Sequence, residues 1–309
     1  MSARVTILGI FNMDLIFRTG RLPHAGETVG GAVFGMGPGG KGSNQAVAAA
    51  RAGAQVTFCT RIGKDAFGAA ARSLWADEGI SPRVIELDGV ATGAACIYVD
   101  KETGQNAIIV APGAAATLGP ADVDAVEADI AASRVFLTQL EQPVQAARRG
   151  LEIARRHGVT TVLNPAPAAA LDDEICRLCD YMTPNETEAE ALTGCRLEDL
   201  AGARRAADAL LKKGVGTAVI TLGKDGALLH DGTRSELVPA FRCGPVVDTT
   251  GAGDGFNGGL ALALAQGADT LSAVRFGCAL ASLSATRPGA ARSMPTLDEI
   301  RAVLEANQL

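Results

Sequence analysis

The stretch DTTGAGDGFNGGLALALAQG, residues 248–267, joins a loop of small residues to a long apolar segment. The run Gly251-Ala252-Gly253 carries almost no side chains, and from Phe256 onward apolar residues recur with helical spacing. This order predicts a loop that leads into the N-terminus of a buried helix. Glycines at such a place let backbone N–H groups approach an anion closely, and the helix dipole adds partial positive charge.

Asp254 follows the glycines directly, where the first N–H groups of the predicted helix have no partners within the helix. An acid in this position commonly caps the helix, which contributes about 1 kcal/mol. The alternative is catalytic: the N–H groups stabilise a transferring phosphoryl group while Asp254 accepts a proton from the attacking hydroxyl. The stretch alone leaves both interpretations open.

A second glycine-rich stretch, GMGPGGKGSNQAVAAARAGA at residues 35–54, also leads into a predicted helix. Its residues 39–44 offer backbone N–H groups, the Lys41 ammonium and the Asn44 amide near the helix start. A Walker phosphate loop is superficially similar, but Gly42 stands where that motif requires Ser or Thr after the lysine. The stretch therefore indicates a polar binding loop of another kind.

Length and composition favour a globular protein with an aliphatic core. The 309 residues allow one large domain or two small ones. Hydrophobic residues make up 48% but aromatic residues only 4%, so Ala, Val, Leu and Ile fill the predicted core. The formal net charge is −6 without a basic stripe, which argues against nucleic acid as a partner.

The sequence also bears on location and on metal chemistry. No apolar run reaches the roughly 20 residues of a membrane span, and MSARVTILGI lacks the pattern of a secretory signal. The 7 cysteines are scattered and odd in number, which argues against a disulfide framework, and we expect a cytoplasmic protein. Cys176 and Cys179 form an isolated C-x-x-C that we interpret as small apolar positions. The 3 histidines lie at no ligand spacing, which argues against a zinc site or a Ser-His-Asp triad.

Strand-like and helix-like segments alternate along most of the chain, starting with the continuous apolar run at residues 4–10. Such alternation predicts a mostly parallel sheet with helices on both faces, a three-layer α/β/α fold, in a single domain over residues 1–309. The other predicted strands lie near residues 55–60, 134–140, 159–163, 179–183, 218–223, 226–230 and 235–239. The predicted helices lie near residues 43–52, 66–78, 120–131 and 143–157, from 186, and near 199–213, 252–265, 270–286 and 297–307.

Two segments depart from this alternation, at about residues 12–36 and 92–110. The first carries Gly, Pro and short alternating runs, and the second reads as a hairpin around the turn KETG. Together they predict a small sheet set apart from the main body.

Polar side chains follow two of the predicted strands, on the edge where open α/β sheets bind ligands. Asn12 and Asp14 come after the first strand, and Glu141 ends the segment FLTQLE. Each also has an ordinary alternative, which is a turn for Asn12 and Asp14 and helix capping or solvent exposure for Glu141.

Two further segments carry polar residues near predicted element ends. TPNETEAE, residues 183–190, has the pattern of a capped, acid-rich helix start around Asn185 and Glu188. ITLGKDG, residues 220–226, is a predicted strand that enters a glycine turn, where Lys224 could meet a phosphate or simply face solvent.

The chain resembles the ribokinase-like carbohydrate kinases from residue 9 to residue 295. The motifs that carry the resemblance occur in the order of that family: GIFNMD, the stretch at residues 35–54, LNPAPA, TPNETEAE, the stretch at residues 248–267, and ATRPGAARSMP.

The resemblance implies ATP-dependent transfer of a phosphoryl group to a sugar, specifically to O5 of D-ribose. It implies that Asp254 is the general base, that the N–H groups of Gly251, Ala252 and Gly253 stabilise the charge of the transferring group, and that the small sheet is a lid over the sugar and a clasp in a homodimer. The implied sugar-binding residues are Asn12, Asp14, Gly40, Lys41, Asn44, Glu141 and Asp254.

The resemblance also implies a nucleotide site and two cations. Mg²⁺ is positioned by Asn185 and Glu188, largely through water, which suits its reluctance to lose its hydration shell. The implied nucleotide-binding residues are Asn185, Thr221, Gly223, Lys224, Gly226, Gly253 and Cys278. The implied K⁺ site is formed by Asp248, Thr250, Ser284, Arg287, Gly289 and Ser293.

Three alternatives to a ribose kinase remain open from the sequence. The nearest is the same chemistry on deoxyribose, a nucleoside or another sugar such as fructose. A dinucleotide-dependent dehydrogenase is disfavoured because the first strand ends in GIFNMD rather than in G-x-G-x-x-G. A non-catalytic sugar sensor is disfavoured because Asp254 is present.

Overall fold

A computed structural model describes residues 3–31, 33–103 and 105–307, which form thirteen strands and eleven α-helices. In chain order, the strands are β1 (Arg4–Leu8), β2 (Asn12–Thr19), β3 (Val33–Gly39), β4 (Gln55–Gly63), β5 (Ser81–Leu87), β6 (Thr92–Asp100), β7 (Asn106–Gly113), β8 (Val135–Thr138), β9 (Thr160–Leu163), β10 (Tyr181–Met182), β11 (Thr217–Thr221), β12 (Ala227–His230) and β13 (Ser235–Val238).

The helices connect these strands. In chain order, they are α1 (Lys41–Arg51), α2 (Ala66–Asp77), α3 (Pro120–Asp124), α4 (Glu127–Ala131), α5 (Val144–Arg156), α6 (Asp173–Arg177), α7 (Glu186–Thr193), α8 (Leu200–Lys212), α9 (Ala252–Ala265), α10 (Thr270–Ser284) and α11 (Leu297–Ala306). None of the helices in the described part of the chain is long and apolar enough to cross a membrane.

The large sheet has the strand order β13-β12-β11-β10-β9-β8-β1-β4-β5. All neighbours from β11 to β5 are parallel, and only β12 and β13 are antiparallel. One face of the sheet packs against α1, α2, α9, α10 and α11, and the other against α3 to α8. The predicted three-layer α/β/α fold is confirmed.

The small sheet has the order β3-β2-β6-β7, with β2 and β6 parallel and the other two pairs antiparallel. The predicted second sheet is therefore confirmed, although β3 and β7 each run three residues past the predicted ends, to Gly39 and Gly113. Within the two predicted segments, Ala32 and Gly104, the last residue of the turn KETG, lie outside the described residues.

The structure corrects the predicted elements in three places. The predicted helix at residues 120–131 is divided into α3 and α4 at Val126, whose ψ of 15° leaves the helical range. β5 was not predicted. It contains Pro82, which cannot donate to a ladder, and it lies at the edge of the sheet, where proline is tolerated. The short helix α6 was also not predicted, and its cap is the Asp172 carboxylate, which accepts from the N–H of Ile175.

The close packing of α1 against α9 fixes the centre of the molecule. Gly258 of α9 faces α1, and a Cβ atom at Gly258 would lie 2.6 Å from the Cβ atom of Ala48 and 2.8 Å from the carbonyl oxygen of Gln45. Only glycine fits there, because contacts this short require backbone movement. The packing places the first turns of the two helices side by side.

Replacing Gly258 by Ala should lower the free energy of unfolding by about 1–3 kcal/mol, because the added methyl group overpacks the contact between α1 and α9. Urea denaturation measures the loss. Gly259→Ala on the same helix is the matched control: it makes the same gain in helix propensity, but its nearest neighbours lie 3.2 Å from the added atom. Equal stability of the two variants would contradict the packing argument.

Candidate active site

A cavity of about 210 Å³ lies beyond the carboxyl ends of the parallel strands, where the N-termini of α1, α7 and α9 converge. This is the edge at which open α/β sheets bind ligands. The residues that line the cavity are Lys41, Asn164, Ala166, Thr183, Asn185, Glu188, Thr221, Thr249, Gly251, Gly253, Asp254 and Asn257. Seven of them are site residues predicted from the sequence, namely Lys41, Asn185, Glu188, Thr221, Gly251, Gly253 and Asp254.

The Asp254 carboxylate does not cap its own helix. Its Oδ2 accepts from Asn44 Nδ2 at 2.9 Å and its Oδ1 accepts from Gln45 Nε2 at 3.2 Å, both from the first turn of α1. Burial raises the pKa of Asp254, and the Lys41 ammonium and the two amide donors oppose that rise. The side chain is therefore held as an acceptor in a buried place, as a general base requires.

The turn before Asp254 presents N–H groups to the cavity. Gly251 precedes α9 with a φ of 77°, a left-handed conformation that favours glycine. The Ala252 N–H donates to the carbonyl of Thr249 at 3.1 Å, whereas those of Gly253 and Asp254 have no acceptor among the described residues. Of the N–H groups of residues 251–254, those of Gly251, Gly253 and Asp254 are thus free among the described residues, and only that of Ala252 is not available to an anion.

Lys41 stands among several carboxylates at the start of α1. Its backbone N–H donates to Glu141 Oε2 at 2.7 Å. Burial works to lower the pKa of its ammonium, but Asp254, Glu141 and Glu188 outweigh that effect and raise the pKa. The Lys41 ammonium is therefore held in its protonated, positively charged form among several carboxyl groups.

Two carboxyl groups near the start of α1 have pKa values close to neutral. Burial, with a smaller contribution from the Asp254 charge, raises the pKa of Asp14 to about 6. Burial raises the pKa of Glu141 to about 7, although Lys41 opposes the rise. Gly39 pairs with Asn12 at the end of β3, and a Cβ atom on Gly39 would overlap the Asp14 carboxylate, so this glycine makes room for the acid.

Two buried amide oxygens near these acids have no partner in the described part of the chain. Asn12 Oδ1 and Asn44 Oδ1 accept no hydrogen bond, although their side chains are almost fully buried. An unpartnered buried acceptor costs about 1–3 kcal/mol. A ligand hydroxyl that donates to either oxygen would remove that cost.

The start of α7 forms a reciprocal capping box. Asn185 Oδ1 accepts from the Glu188 N–H at 2.8 Å, and Glu188 Oε2 accepts from the Asn185 N–H at 2.9 Å. The predicted cap is therefore present, and both side chains also line the cavity. Burial raises the pKa of Glu188.

The predicted nucleotide residues lie partly at the cavity and partly beyond it. Thr221, at the end of β11, lines the cavity. Gly223 and Lys224 belong to a 3₁₀ turn that follows β11, and Gly226 closes it by accepting from the Leu222 N–H at 2.8 Å. Cys278 is buried in α10, where its Sγ lies 3.9 Å from the carbonyl oxygen of Val238, and it does not line the cavity.

The residues predicted to bind K⁺ join two loops beside α9. Asp248 Oδ1 accepts from the Thr250 N–H and Oδ2 from the Gly289 N–H, each at 2.9 Å. Burial acts to raise the pKa of Asp248, but these hydrogen bonds outweigh that effect and lower the pKa. The Arg287 guanidinium forms an ion pair with Glu299.

The hydroxyls of the remaining predicted K⁺ residues bond to carbonyls within their own turns. Ser284 Oγ donates to the Ala281 carbonyl at 2.9 Å, and Ser293 Oγ donates to the Ala290 carbonyl at 2.8 Å. Both oxygen atoms keep lone pairs that can serve as ligands.

Four buried polar residues of the site were not predicted from the sequence: Gln45, Asn164, Thr183 and Asn257. All four are buried and hydrogen-bonded near Asp254. All four stand within motifs quoted above, and this position was the one available signal: Gln45 in residues 35–54, Asn164 in LNPAPA, Thr183 in TPNETEAE and Asn257 in residues 248–267. Their partners are remote in sequence, so spacing could not reveal their roles.

Comparisons with known proteins identify the family of the chain. The model of the pfkB family of carbohydrate kinases matches residues 2–297. The chain therefore belongs to the pfkB family of carbohydrate kinases. The predicted family and the predicted class of enzyme, a sugar kinase, are both confirmed.

Several relatives are similar over the full length. Ribokinase from Haemophilus influenzae is 42% identical over 306 residues, which cover 99% of this chain and 99% of the relative. Deoxyribokinase from Salmonella typhi is 34% identical over 306 residues, covering 98% and 99%. The structure of Arabidopsis thaliana ribokinase complexed with ribose and ATP is 28% identical, with a TM-score of 0.93 and 99% of both chains covered.

Replacing Glu141 by Gln should stabilise the protein more at about pH 8 than at about pH 5. The pKa of Glu141 in the folded protein, about 7, exceeds the ordinary 4.5. The folded state therefore binds more protons than the unfolded state between these values, and the free energy of unfolding falls as pH rises through this window. Gln keeps an acceptor for the Lys41 N–H and cannot ionise.

The difference in unfolding free energy between variant and wild type should grow by about 1–3 kcal/mol across this range. Urea denaturation at both pH values measures it. Glu305→Gln, on the exposed face of α11, is the control and should show no such change. A pH-independent effect of Glu141→Gln would contradict the buried-carboxyl assignment.

Proposed function

We propose that the protein transfers the γ-phosphoryl group of ATP to O5 of D-ribose, giving D-ribose 5-phosphate and ADP. The observation that carries this proposal is the position of Asp254, a buried acceptor beside free N–H groups at the N-terminus of α9. A proton acceptor and an anion-binding turn in one cavity are the two parts that phosphoryl transfer to a hydroxyl needs.

Ribose would bind between the small sheet and the start of α1, in a single domain whose small sheet acts as a lid. Asn12 Oδ1 and Asn44 Oδ1 are buried acceptors that sugar hydroxyls can satisfy. Asp14 and Glu141 supply carboxyl groups, and the Lys41 ammonium supplies a donor. Gly40, with a φ of 88°, turns the chain so that its backbone also faces the sugar.

The transfer follows from these positions. Asp254 accepts the proton of the O5 hydroxyl as O5 forms its bond to the γ-phosphorus atom. The bond from that phosphorus atom to the bridging oxygen of ADP breaks, and ADP leaves with the electron pair. The turn at residues 251–254 stabilises the negative charge of the transferring group through its N–H groups.

The nucleotide would extend from Gly253 toward β11. Asn185 and Thr221 line this side of the cavity, and the turn with Gly223, Lys224 and Gly226 continues from it. Cys278 belongs to the same proposal as a buried neighbour of the adenine site.

Asn185 and Glu188 fit Mg²⁺ through their amide and carboxylate oxygens. No group of three or more His, Cys, Asp or Glu residues in the described ranges is arranged to hold a metal. Mg²⁺ usually keeps several waters and binds through one or two carboxylates plus substrate phosphates. When bound, the ion would neutralise phosphate charge.

Deoxyribose is the second candidate acceptor, because deoxyribokinases are also similar over the full length. The sugars differ in one hydroxyl group. A site that hydrogen-bonds this hydroxyl discriminates strongly against the sugar that lacks it. The higher identity to ribokinase supports ribose.

ATP consumption measured against a panel of pentoses, hexoses and nucleosides tests the proposal, and D-ribose should give the highest kcat/KM. Asp254→Asn should lower kcat by at least about a hundredfold, the typical contribution of a general base, while binding of ATP by calorimetry is retained. Asp231→Asn, on the exposed turn after β12, is the control. A nucleoside as the best substrate, or normal turnover in Asp254→Asn, would overturn it.

The proposal extends to K⁺ as an activator. Asp248 holds Thr250 and Gly289 together, and carbonyl and hydroxyl oxygens of residues 284–293 lie on the adjoining loop. An ion bound there would fix the loop immediately before the anion-binding turn without contacting the substrate. Preorganised N–H donors are effective because they need no rearrangement during the reaction.

Replacing K⁺ by Na⁺ should lower kcat by about tenfold, since a loosened set of donors loses part of its effect. Asp248→Ala should reproduce the loss and abolish the response to added K⁺. Steady-state rates in buffers that contain tetramethylammonium, Na⁺ or K⁺ measure both effects. Equal rates in all buffers for wild type, with a fully active Asp248→Ala variant, would show that no activating ion binds.

We further propose that the small sheet joins two copies of the chain in a cytoplasmic homodimer. The sheet exposes large apolar side chains, among them Phe34 (59% exposed) and Ile109 (75% exposed). Phe34 also packs against Phe17 with ring centroids 5.1 Å apart. Clustered apolar side chains on a surface commonly mark a protein interface.

Light scattering should give a mass about twice the 31.5 kDa of one chain. Phe34→Glu and Ile109→Glu should each shift the equilibrium to monomers, because a charge would be buried in the interface. Leu237→Glu, on β13 at the far edge of the large sheet, should leave the mass unchanged. A monomeric wild type at micromolar concentration would contradict the dimer.

A further inference from the structure

The side chain of Gln45 connects the proposed base to a second group of buried amides. Its Nε2 donates to Asp254 Oδ1 and to Asn164 Oδ1, both at 3.2 Å. Its Oε1 accepts from Gln139 Nε2 at 2.5 Å, which fixes which end of the amide faces Asp254. With the opposite orientation, an amide oxygen would face the carboxylate and both donated bonds would be lost.

From Asn164 the hydrogen bonds continue back to α9. Asn164 Nδ2 donates to the Thr183 carbonyl at 3.0 Å, and Thr183 Oγ1 donates to Asn257 Oδ1 at 2.6 Å. Asn257 Nδ2 then donates to the Gly253 carbonyl at 2.8 Å. Because Gly253 precedes Asp254, these bonds form a closed ring, which we call the amide ring.

The ring holds two parts of the proposed catalytic machinery at once. At one end it contacts the Asp254 carboxylate. At the other end it contacts the Gly253 carbonyl, which belongs to the peptide between Gly253 and Asp254. Because this peptide is planar, the Asp254 N–H points the opposite way, and it is free to donate to an anion. A hydrogen bond to the carbonyl also polarises that N–H.

Burial makes the ring rigid. Gln45, Asn164, Thr183 and Asn257 are each at most 6% exposed, so water competes little for their hydrogen bonds. Asn164 and Asn257 each use their donor and their acceptor within the ring, whereas Gln45 donates twice within it and accepts from Gln139 outside it. None of these three amides can therefore turn over without breaking at least two hydrogen bonds.

We propose that the amide ring positions the base and the anion-binding peptide as one unit, with Gln45 and Thr183 as its positioning residues. This rests on the proposed function, in which Asp254 is the base. The alternative is that the amides only satisfy one another in a buried place. The two interpretations predict different results when the ring is opened. A positioning role predicts changes in catalysis and in the pH profile as well as in stability, whereas the alternative predicts a change in stability alone.

Gln45→Met tests the base side, because Met has a similar size and no N–H donor. Losing a hydrogen bond to a charged carboxylate should move the acid limb of the pH profile of kcat/KM upward by about one unit. Other charged groups also face Asp254, but they are the same in wild type and variant; they are Lys41 of α1, Asp14 of β2, Glu141 after β8 and Glu188 of α7.

Thr183→Val tests the peptide side, because Val keeps the shape and removes the hydroxyl. It should lower kcat by about tenfold, since small misplacements of reacting groups are costly, with the KM for ribose nearly unchanged and the acid limb in place. The double variant Gln45→Met/Thr183→Val should lose less than the product of the two single losses, because the ring is already open.

The control is Gln142→Met. Gln142 is an equally buried glutamine outside the ring, and its Nε2 donates to Thr138 Oγ1 and to the Gln139 carbonyl. Its loss should lower stability and leave kcat and the pH profile unchanged. If Gln45→Met does not fold, Gln45→Glu keeps the shape and should move the acid limb further upward by placing a second carboxyl group beside Asp254.

Different results would contradict the proposed function and the proposed role of the amide ring. Normal turnover in Asp254→Asn removes the base itself. If Asp254→Asn is inactive, any of three results would overturn the amide ring as a positioning unit. They are a wild-type pH profile in Gln45→Met, a wild-type kcat in Thr183→Val, and single losses that multiply in the double variant.

Discussion

The contact between α1 and α9 at Gly258 is the constraint on which the site depends. The absence of a side chain at this residue lets α9 approach the backbone of Gln45 and the methyl group of Ala48. The approach places the amides of Asn44 and Gln45 against both oxygens of Asp254. A glycine that looks unremarkable in a helical run therefore determines where the proposed base can accept a proton.

The same closeness concentrates negative charge. Asp14, Glu141, Glu188 and Asp254 all have raised pKa values, chiefly because they are buried, and Lys41 is the cation that faces three of them. Folding such a cluster costs stability when the groups ionise. Perturbed carboxyl groups of this kind gather at functional sites, because catalytic acids and bases need pKa values that match their task.

How far the sequence reveals this arrangement depends on how local each signal is. The alternation of apolar segments predicted the layers, and the glycine runs predicted the starts of α1 and α9 at the cavity. The edge strand β5 was hidden by Pro82, since the pattern does not say which strand will lie at an edge. Gln45 and Asn257 sit among small apolar residues in helices, and their roles depend on partners such as Asp254 and Thr183, which lie 209 and 74 residues away. Only the folded chain brings them together.

The choice of amides around Asp254 has a chemical reason. An arginine or lysine in the place of Gln45 would also orient the carboxylate, but its charge would lower the pKa of Asp254 and weaken it as a base. It would also bring another ion into the interior, where desolvation is expensive. An amide carries no net charge, and it donates at one end and accepts at the other, so amides can be linked into a closed path. The interior thereby gains rigidity around Asp254, the proposed base, while Asp254 keeps the raised pKa that burial gives it.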